Sequence, residues 1–301
     1  MKKKLFLQSI VFFSIFLFFI LFIQAESPKK SKIYISVDME GIGGVVTQAQ
    51  TSSGQFEYEK GRKLMTAEVN AAIEGCLEAG AGEIVVADSH GNAQSIIIDE
   101  LNEAAELIRA FPRPLMQMEG INSEFDGVIF IGYHAKEGTP QSDLSHTFWG
   151  SKIFELKLNG ISVSEAIFNA AIAGEYGVPV IFIAGDQNVV NHTKSYLGKI
   201  ESVITKQSIG WLTAKSKHPS LICKEIKEKC VEAVKRIKEF KAYKLNHPIK
   251  MELTFKHTYD AEAFSYLPMV TRVDGHTIQF TGKDMIEVGR FIAALFAINT
   301  R

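Results

Sequence analysis

Hydrophobic positions along the chain come as short continuous runs and as longer periodic stretches, and the two textures predict different elements. Ile33, Ile35 and Val37 fall on one face of a pleat and Tyr34 and Ser36 on the other, which predicts a mostly buried central strand. A helical period follows over residues 57–79, with Leu64, Val69, Ala72, Ile73 and Leu77 on its buried face and Gly80-Ala81-Gly82 ending it. Residues 83–87, 127–132 and 179–184 read as three more strands, and residues 95–110 as a mixed, helical return. Asn159-Gly160 separates residues 152–158 from 161–163, a strong two-residue hairpin signal. Ser162 or Ser164 then caps a helix that runs to about Tyr176, closed by Gly177 and Pro179. Strands alternating with helical periods argue for right-handed crossovers and a largely parallel, doubly wound α/β sheet. From about residue 190 the pattern changes. Helical segments with Lys-rich faces span 212–240, strands are expected over 249–255, 269–273 and 277–281, and a last helix over 284–298. These patterns predict an α/β domain over 32–190 and a smaller C-terminal α+β lobe over 191–301.

Residues 1–25 stand outside that pattern. Lys2, Lys3 and Lys4 precede an apolar run from Leu5 to Ile23, and Ala25 offers a small residue at a cleavage position before Glu26-Ser27-Pro28. The run reads as a cleaved secretory signal peptide or, being nearly long enough to span a bilayer, as an uncleaved N-terminal membrane anchor. Either way the rest of the chain is expected to be exported, in a periplasmic or extracellular place.

The chain has 301 residues, 46% apolar and 22% charged, the composition of an ordinary globular protein. Its formal net charge is −1; without the three leader lysines it is 30 basic against 34 acidic residues, or −4. No basic stripe interleaved with aromatics suggests a nucleic-acid partner. Cys76, Cys223 and Cys230 make a poor disulfide framework. Cys223 and Cys230 are seven residues apart in a helical pattern, about 10 Å of rise. That exceeds a disulfide's reach and marks them as packing residues.

Candidate chemistry lies at the strand ends. Asp38 and Glu40 follow the first strand at i, i+2. Two carboxylates that close repel and desolvate each other unless a proton or cation intervenes, and a divalent metal is the simplest such charge. The second strand delivers Asp88 and His90, the third His134. In a parallel sheet these ends share one edge, so groups about fifty residues apart can converge there. Two histidines and three carboxylates on one rim suit a one- or two-metal hydrolytic site. Each residue alone also has a structural explanation: a solvated Asp-x-Glu loop, or a histidine that only donates hydrogen bonds. Gly41-Ile42-Gly43-Gly44 lacks a following Lys-Ser/Thr, and no GxGxxG opens a helix, so no phosphate cradle is expected.

Ser36-Val37-Asp38-Met39-Glu40-Gly41, Asp88-Ser89-His90, Gly132-Tyr133-His134-Ala135, Ser145-His146 and Ser164-Glu165-Ala166-Ile167-Phe168-Asn169-Ala170, five motifs in register over residues 33–186, resemble the M55 metallopeptidase family, the D-aminopeptidases of the dipeptide-transport operon type. The resemblance implies a zinc-dependent aminopeptidase with two Zn²⁺ per subunit, held by Asp38, Glu40, His90, His134 and Glu165, with Asp38 as the bridge. Glu165, in the first turn of a helix, would be stabilised by the dipole alone even without a metal. The resemblance also implies a homo-oligomer, a short peptide as substrate with a D-configured N-terminal residue, and His146 as the catalytic residue. The family assigns the matching histidine as nucleophile; on first principles general base, general acid or transition-state electrophile remain open beside it. The export signal departs from the relatives. It points to peptides or cell-wall fragments outside the cytoplasm, with membrane contact only through the N-terminal segment.

Other residues carry less. Asp88 is either a carboxylate orienting His90 or a turn residue. Asp186 ends a strand at the same edge, but Gln187 stands where relatives carry a second acid, which weighs against amine recognition. Lys206 reads as solvated rather than as a holder of substrate carboxylate, and His192, His218, His247, His257 and His276 as structural or exposed. The rival functions are an exported two-metal phosphoesterase or amidohydrolase, and a non-enzymatic exported ligand-binding protein.

Overall fold

A computed structural model describes residues 30–299; the leader expected over residues 1–25 lies outside them. From the amino end, strand β1 (Lys32–Val37) is followed by a one-turn helix α1 (Gln48–Thr51), a long helix α2 (Tyr58–Glu78) and strands β2 (Glu83–Asp88), β3 (Ala105–Ile108) and β4 (Gly127–Tyr133). The hairpin β5 (Ile153–Leu158) and β6 (Ile161–Ser162) leads to helix α3 (Glu165–Glu175), strand β7 (Val180–Asp186) and helix α4 (Gln187–Leu197). Strands β8 (Glu201–Gly210) and β9 (Thr213–Ser216), helix α5 (Pro219–Lys235), strand β10 (Ile249–Phe255) and helix α6 (Thr258–Phe264) come next. Strands β11 (Thr271–Arg272) and β12 (Thr277–Gly282) precede the last helix, α7 (Met285–Asn299).

The larger sheet has the order β3-β2-β1-β4-β7-β8-β9, parallel throughout except for the antiparallel β8–β9 pair at one edge. The alternation in β1 divides two cores. Ile33, Ile35 and Val37 pack with Met65, Val69 and Ile73 of α2 and Ile222 and Ile226 of α5. Tyr34, on the opposite face, joins residues of α3, α7 and the second sheet. That second sheet is antiparallel, in the order β11-β12-β10-β5-β6. Both faces of β1 are therefore covered, as its apolar run requires. Asn159 and Gly160 have φ of 49° and 80°, the left-handed pair that a tight type I′ hairpin between β5 and β6 demands.

One expectation changes, and two features of the sheets add to the picture. Residues 95–110 hold a single 3₁₀ turn, Ile98–Glu100, and then β3, which pairs in parallel with β2 at the sheet edge. Pairing to an existing strand there outweighs the helix propensity of Ala, Glu and Leu. Residues 201–210, for which the sequence pattern predicts no element, form β8 of the main sheet. The boundary expected near residue 190 does not separate the two sheets: β8 and β9 belong to the larger one, whereas β5 and β6, well before it, belong to the smaller. Among the described residues no helix is long and apolar enough to cross a membrane.

Candidate metal centre and active site

At the carboxyl edge of the larger sheet, β1, β2 and β4 end side by side, and their next residues converge. Close backbone approach makes this possible. Gly41 N–H donates to the Gly132 carbonyl at 2.7 Å, and a Cβ on Gly41 would stand 1.8 Å from the Tyr133 carbonyl oxygen. Gly132 itself has φ of 68°, a left-handed turn that swings His134 toward Asp38.

Two groups of side chains result. In the first, His90 Nδ1 lies 2.9 Å from Glu40 Oε2 and 3.3 Å from Asp38 Oδ1. In the second, His134 Nε2 lies 3.4 Å from Glu165 Oε1, and His146 Nε2 lies 3.9 Å from the same oxygen. The His134 and His146 rings stack with centroids 4.1 Å apart. Asp38 joins the groups, because its other oxygen, Oδ2, is 3.4 Å from His134 Nε2. Within each of the sets Asp38/Glu40/His90 and His134/His146/Glu165, one potential ligand atom per residue falls within 4.8 Å of the others. All five expected ligands are thus brought together, and the loop histidine joins them.

Each histidine spends one ring nitrogen on a backbone carbonyl: His90 Nε2 on Thr51 at 2.7 Å, His134 Nδ1 on Ala135 at 2.9 Å, and His146 Nδ1 on Leu144 at 2.9 Å. A carbonyl only accepts, so each of these nitrogens carries the proton. The other nitrogen then presents a lone pair to carboxylate oxygens. His134 Nε2 is buried and has no hydrogen-bond partner among the described residues. Lone pairs facing anions in a buried place are tolerable only with a cation or extra protons between them. Without a cation the side chains respond in that sense. Burial opposes charge on His90 and His134, yet the neighbouring carboxylates, Glu40 and Asp38 for one and Glu165 and Asp38 for the other, raise both rings well above the usual imidazole value. Burial likewise opposes charge on Glu40 and Glu165. The histidines beside them prevail, holding Glu40 well below the usual carboxylate range and lowering Glu165. Oxygen and imidazole donors without thiolate suit zinc, and His90 and His134 are each anchored through the far ring nitrogen, as histidines able to hold such an ion would be.

Beneath the site runs a buried polar chain. Gln117 Nε2 donates to Glu165 Oε2 at 2.5 Å, while Phe148 N–H donates to Glu165 Oε1 at 2.6 Å. Asn169 Nδ2 reaches both Gln117 Oε1 at 2.5 Å and the Tyr133 hydroxyl at 2.8 Å, and that hydroxyl meets Ser36 at 2.8 Å. These contacts fix which way Glu165 points. Sequence reasoning passed over Gln117; its 3₁₀ turn, Met116–Met118, has no periodicity to mark it.

Several minor expectations resolve. Asp88 is a turn organiser: its Oδ2 accepts from Ser95 and Ile96 N–H at 2.6 and 2.7 Å, and the His90 ring is instead aimed by Thr51. Asp186 caps α4 through Asn188 and Val189 N–H, and accepts from Ala135 N–H at 2.8 Å, so it shapes the turn that carries His134. Lys206 is not solvated. Its side chain is fully buried, pairs with Asp143 at 2.6 Å, and donates to the Glu40 and Val45 carbonyls. Being spent on these partners, it cannot hold a substrate carboxylate.

A rim of carboxylates and imidazoles at the carboxyl edge of an open α/β sheet defines a class, the metallohydrolases. Comparison with known proteins narrows it. The family model for Peptidase M55, D-aminopeptidase, matches residues 31–294, and the chain belongs to that family. Membership makes it a peptidase of the aminopeptidase class. A D-aminopeptidase of Bacillus subtilis (strain 168) is 32% identical over 260 residues, 85% of this chain and 93% of the relative. The solved structure of the Zn-dependent D-aminopeptidase DppA from Bacillus subtilis, a self-compartmentalizing protease, matches with a TM-score of 0.85 at 30% identity, covering 89% of this chain and 98% of that one.

Proposed function

We propose that the chain is a zinc-dependent aminopeptidase that removes an N-terminal residue, D-configured, from short peptides, and that it holds two zinc ions. Asp38, Glu40 and His90 would hold one; His134 and Glu165, with the second oxygen of Asp38, the other. The observation that carries this reading is the Asp38 carboxylate, whose two oxygens face His90 Nδ1 at 3.3 Å and His134 Nε2 at 3.4 Å. Zinc bound there supplies Lewis acidity, activating water near neutral pH and polarising the scissile carbonyl.

The chain's own residues do the rest. Asp38, Glu40 and Glu165 line the cavity, so the N-terminal residue of a peptide bound there would lie against the metal site. His146, on a loop and with its side chain 24% exposed, keeps a proton on Nδ1 through Leu144 and can take up or deliver another at Nε2. Phe148 N–H and Gln117 hold Glu165 still while that proton moves. Export through residues 1–25 and assembly into a homo-oligomer belong to the same proposal, supported by the composition of the leader and by the self-compartmentalizing relative.

Metal analysis should return about two zinc equivalents per chain. The purified protein should cleave D-Ala-D-Ala in preference to L-Ala-L-Ala and lose that activity to EDTA. Equal hydrolysis with chelator present would refute the metallopeptidase reading, and a metal-free protein without activity would favour a ligand-binding role.

A further inference from the structure

A cavity of about 720 Å³ opens at the site, a volume typical of small-molecule pockets. Its walls combine the site's carboxylates with an apolar group, Phe111, Met116, Trp149 and Phe296. Among the lining residues one lysine or arginine occurs, Arg113. It is 6% exposed, and its guanidinium lies over the Phe111 ring, 4.2 Å from the centroid. Nη2 donates to the Asp88 carbonyl at 2.8 Å and Nη1 reaches the Ile108 carbonyl at 3.5 Å. Nε has no hydrogen-bond partner among the described residues, and no carboxylate among them forms an ion pair with Arg113. Of the two acids whose charge acts on Arg113, Asp88 has its Oδ2 engaged by two backbone N–H groups and Glu119 accepts the Leu115 N–H.

A guanidinium stays charged, and this buried one is hydrogen-bonded only to neutral carbonyls, with Asp88 and Glu119 acting on its charge from beyond ion-pair distance. In a cavity otherwise furnished with carboxylates and aromatic rings, the group that compensates it is an anion brought by the ligand. One guanidinium, with its planar fork of donors, matches a single carboxylate. On the aminopeptidase reading, on which this inference rests, a short peptide brings its N-terminal residue and scissile carbonyl to the metal site and has one carboxylate left over. We propose that Arg113 binds the C-terminal carboxylate of the substrate, so that the enzyme selects peptides short enough for that group to reach it, dipeptides foremost. The role once open for Lys206 thus falls to a residue on a different element.

The test compares kcat/KM for D-Ala-D-Ala with that for D-Ala-D-Ala amide, using zinc-loaded wild type, R113K and R113M. Wild type should prefer the free acid by roughly ten- to a hundredfold, the range for a hydrogen bond to a charged group. R113M should lose that factor on the acid, mainly through KM, so that its kcat/KM for acid and amide become similar. R113K should recover part of the preference. Calorimetric titration with a dipeptide whose scissile amide is reduced to a methyleneamine should show the same loss without turnover. Equal cleavage of acid and amide by wild type overturns the proposal, and that comparison needs no variant to fold. A loss in R113M that is equal on both substrates also overturns it. Cleavage of neither substrate by zinc-loaded wild type fails the aminopeptidase reading instead.

Discussion

The two groups of ligand-type side chains are built differently. Asp38, Glu40 and His90 come from residues directly following two adjacent parallel strands, and all three are buried. His134, Glu165 and His146 come from a strand end, a helix amino terminus and a loop, and His146 is partly exposed. The first group is placed by the sheet, with one outside contact on its histidine, the Thr51 carbonyl that aims the His90 ring. The second depends on hydrogen bonds from outside it: Gln117 and Phe148 on Glu165, Leu144 on His146. A site that must bind a cation and also move protons gains from this asymmetry, since rigid buried ligands retain an ion and a half-exposed imidazole can exchange protons with water.

The sharpest way to break the contrast is to remove what the groups share. D38A should cost both zinc equivalents and lower kcat/KM by at least about a thousandfold, because each oxygen of Asp38 serves one group. Zinc content and activity measured on the same preparation check it. Loss of a single equivalent would show that the groups act independently. H146N comes next: it should retain both equivalents and lower kcat by about a hundredfold or more, the range for loss of a general acid or base. If it sheds one zinc, His146 is a ligand and the second group is as fixed as the first.

K206M probes the support beneath the first group. Lys206 joins the Glu40 loop to Asp143, three residues before His146, so one ion pair ties the two groups' backbones together. Removing one partner of a buried pair leaves the other charge uncompensated, at a cost of about 3–5 kcal/mol. Thermal unfolding should show that loss, and replacing Asp143 by leucine in the same chain should restore part of it. An unchanged melting temperature in K206M would mean that the pair contributes no net stability.

Much of the first group was legible because its determinants are local. Asp38-x-Glu40 follows a strand that its own alternation declares, and His90 follows the next; parallel pairing then places them together. His134 was legible for the same reason; Glu165 was legible only through the resemblance of residues 164–170 to the family's motif, since its place after the cap Ser164 has an explanation in the helix dipole alone. The supports were not legible, because they are long-range. Gln117 sits in a segment without periodicity and meets Glu165 across 48 residues. Lys206 looks like any strand lysine until the fold sets Asp143 and two carbonyls around it. β3 and β8 were hidden because sheet edges carry polar and half-buried residues that blur the period. Arg113 had no motif, and its standing as the pocket's one fixed cation depends on what does not approach it.

An effect that appears only as pH rises concerns a carboxyl outside both groups. Glu68 of α2 is fully buried, and its Oε1 accepts the Gly43 N–H at 2.8 Å, bracing the glycine loop that follows Glu40. Burial pushes its pKa up to about 8, against the pull of that N–H and of Lys206; the Cys223 thiol is the other titratable group close enough to respond to it. In the unfolded chain the same group ionises near 4.5. Between these values the folded state holds a proton that the unfolded state has released, so this group's contribution is whole below pH 4.5 and is lost as pH rises to 8, by up to about 1.4 kcal/mol per pH unit. E68Q keeps the acceptor for Gly43 and removes the titration. It should match wild type in melting temperature near pH 4.5 and exceed it increasingly toward pH 8, without change in zinc content. A constant difference across that range would mean that Glu68 is ionised in the fold. The loop carrying Glu40 would then rest on a charge rather than on a neutral acid.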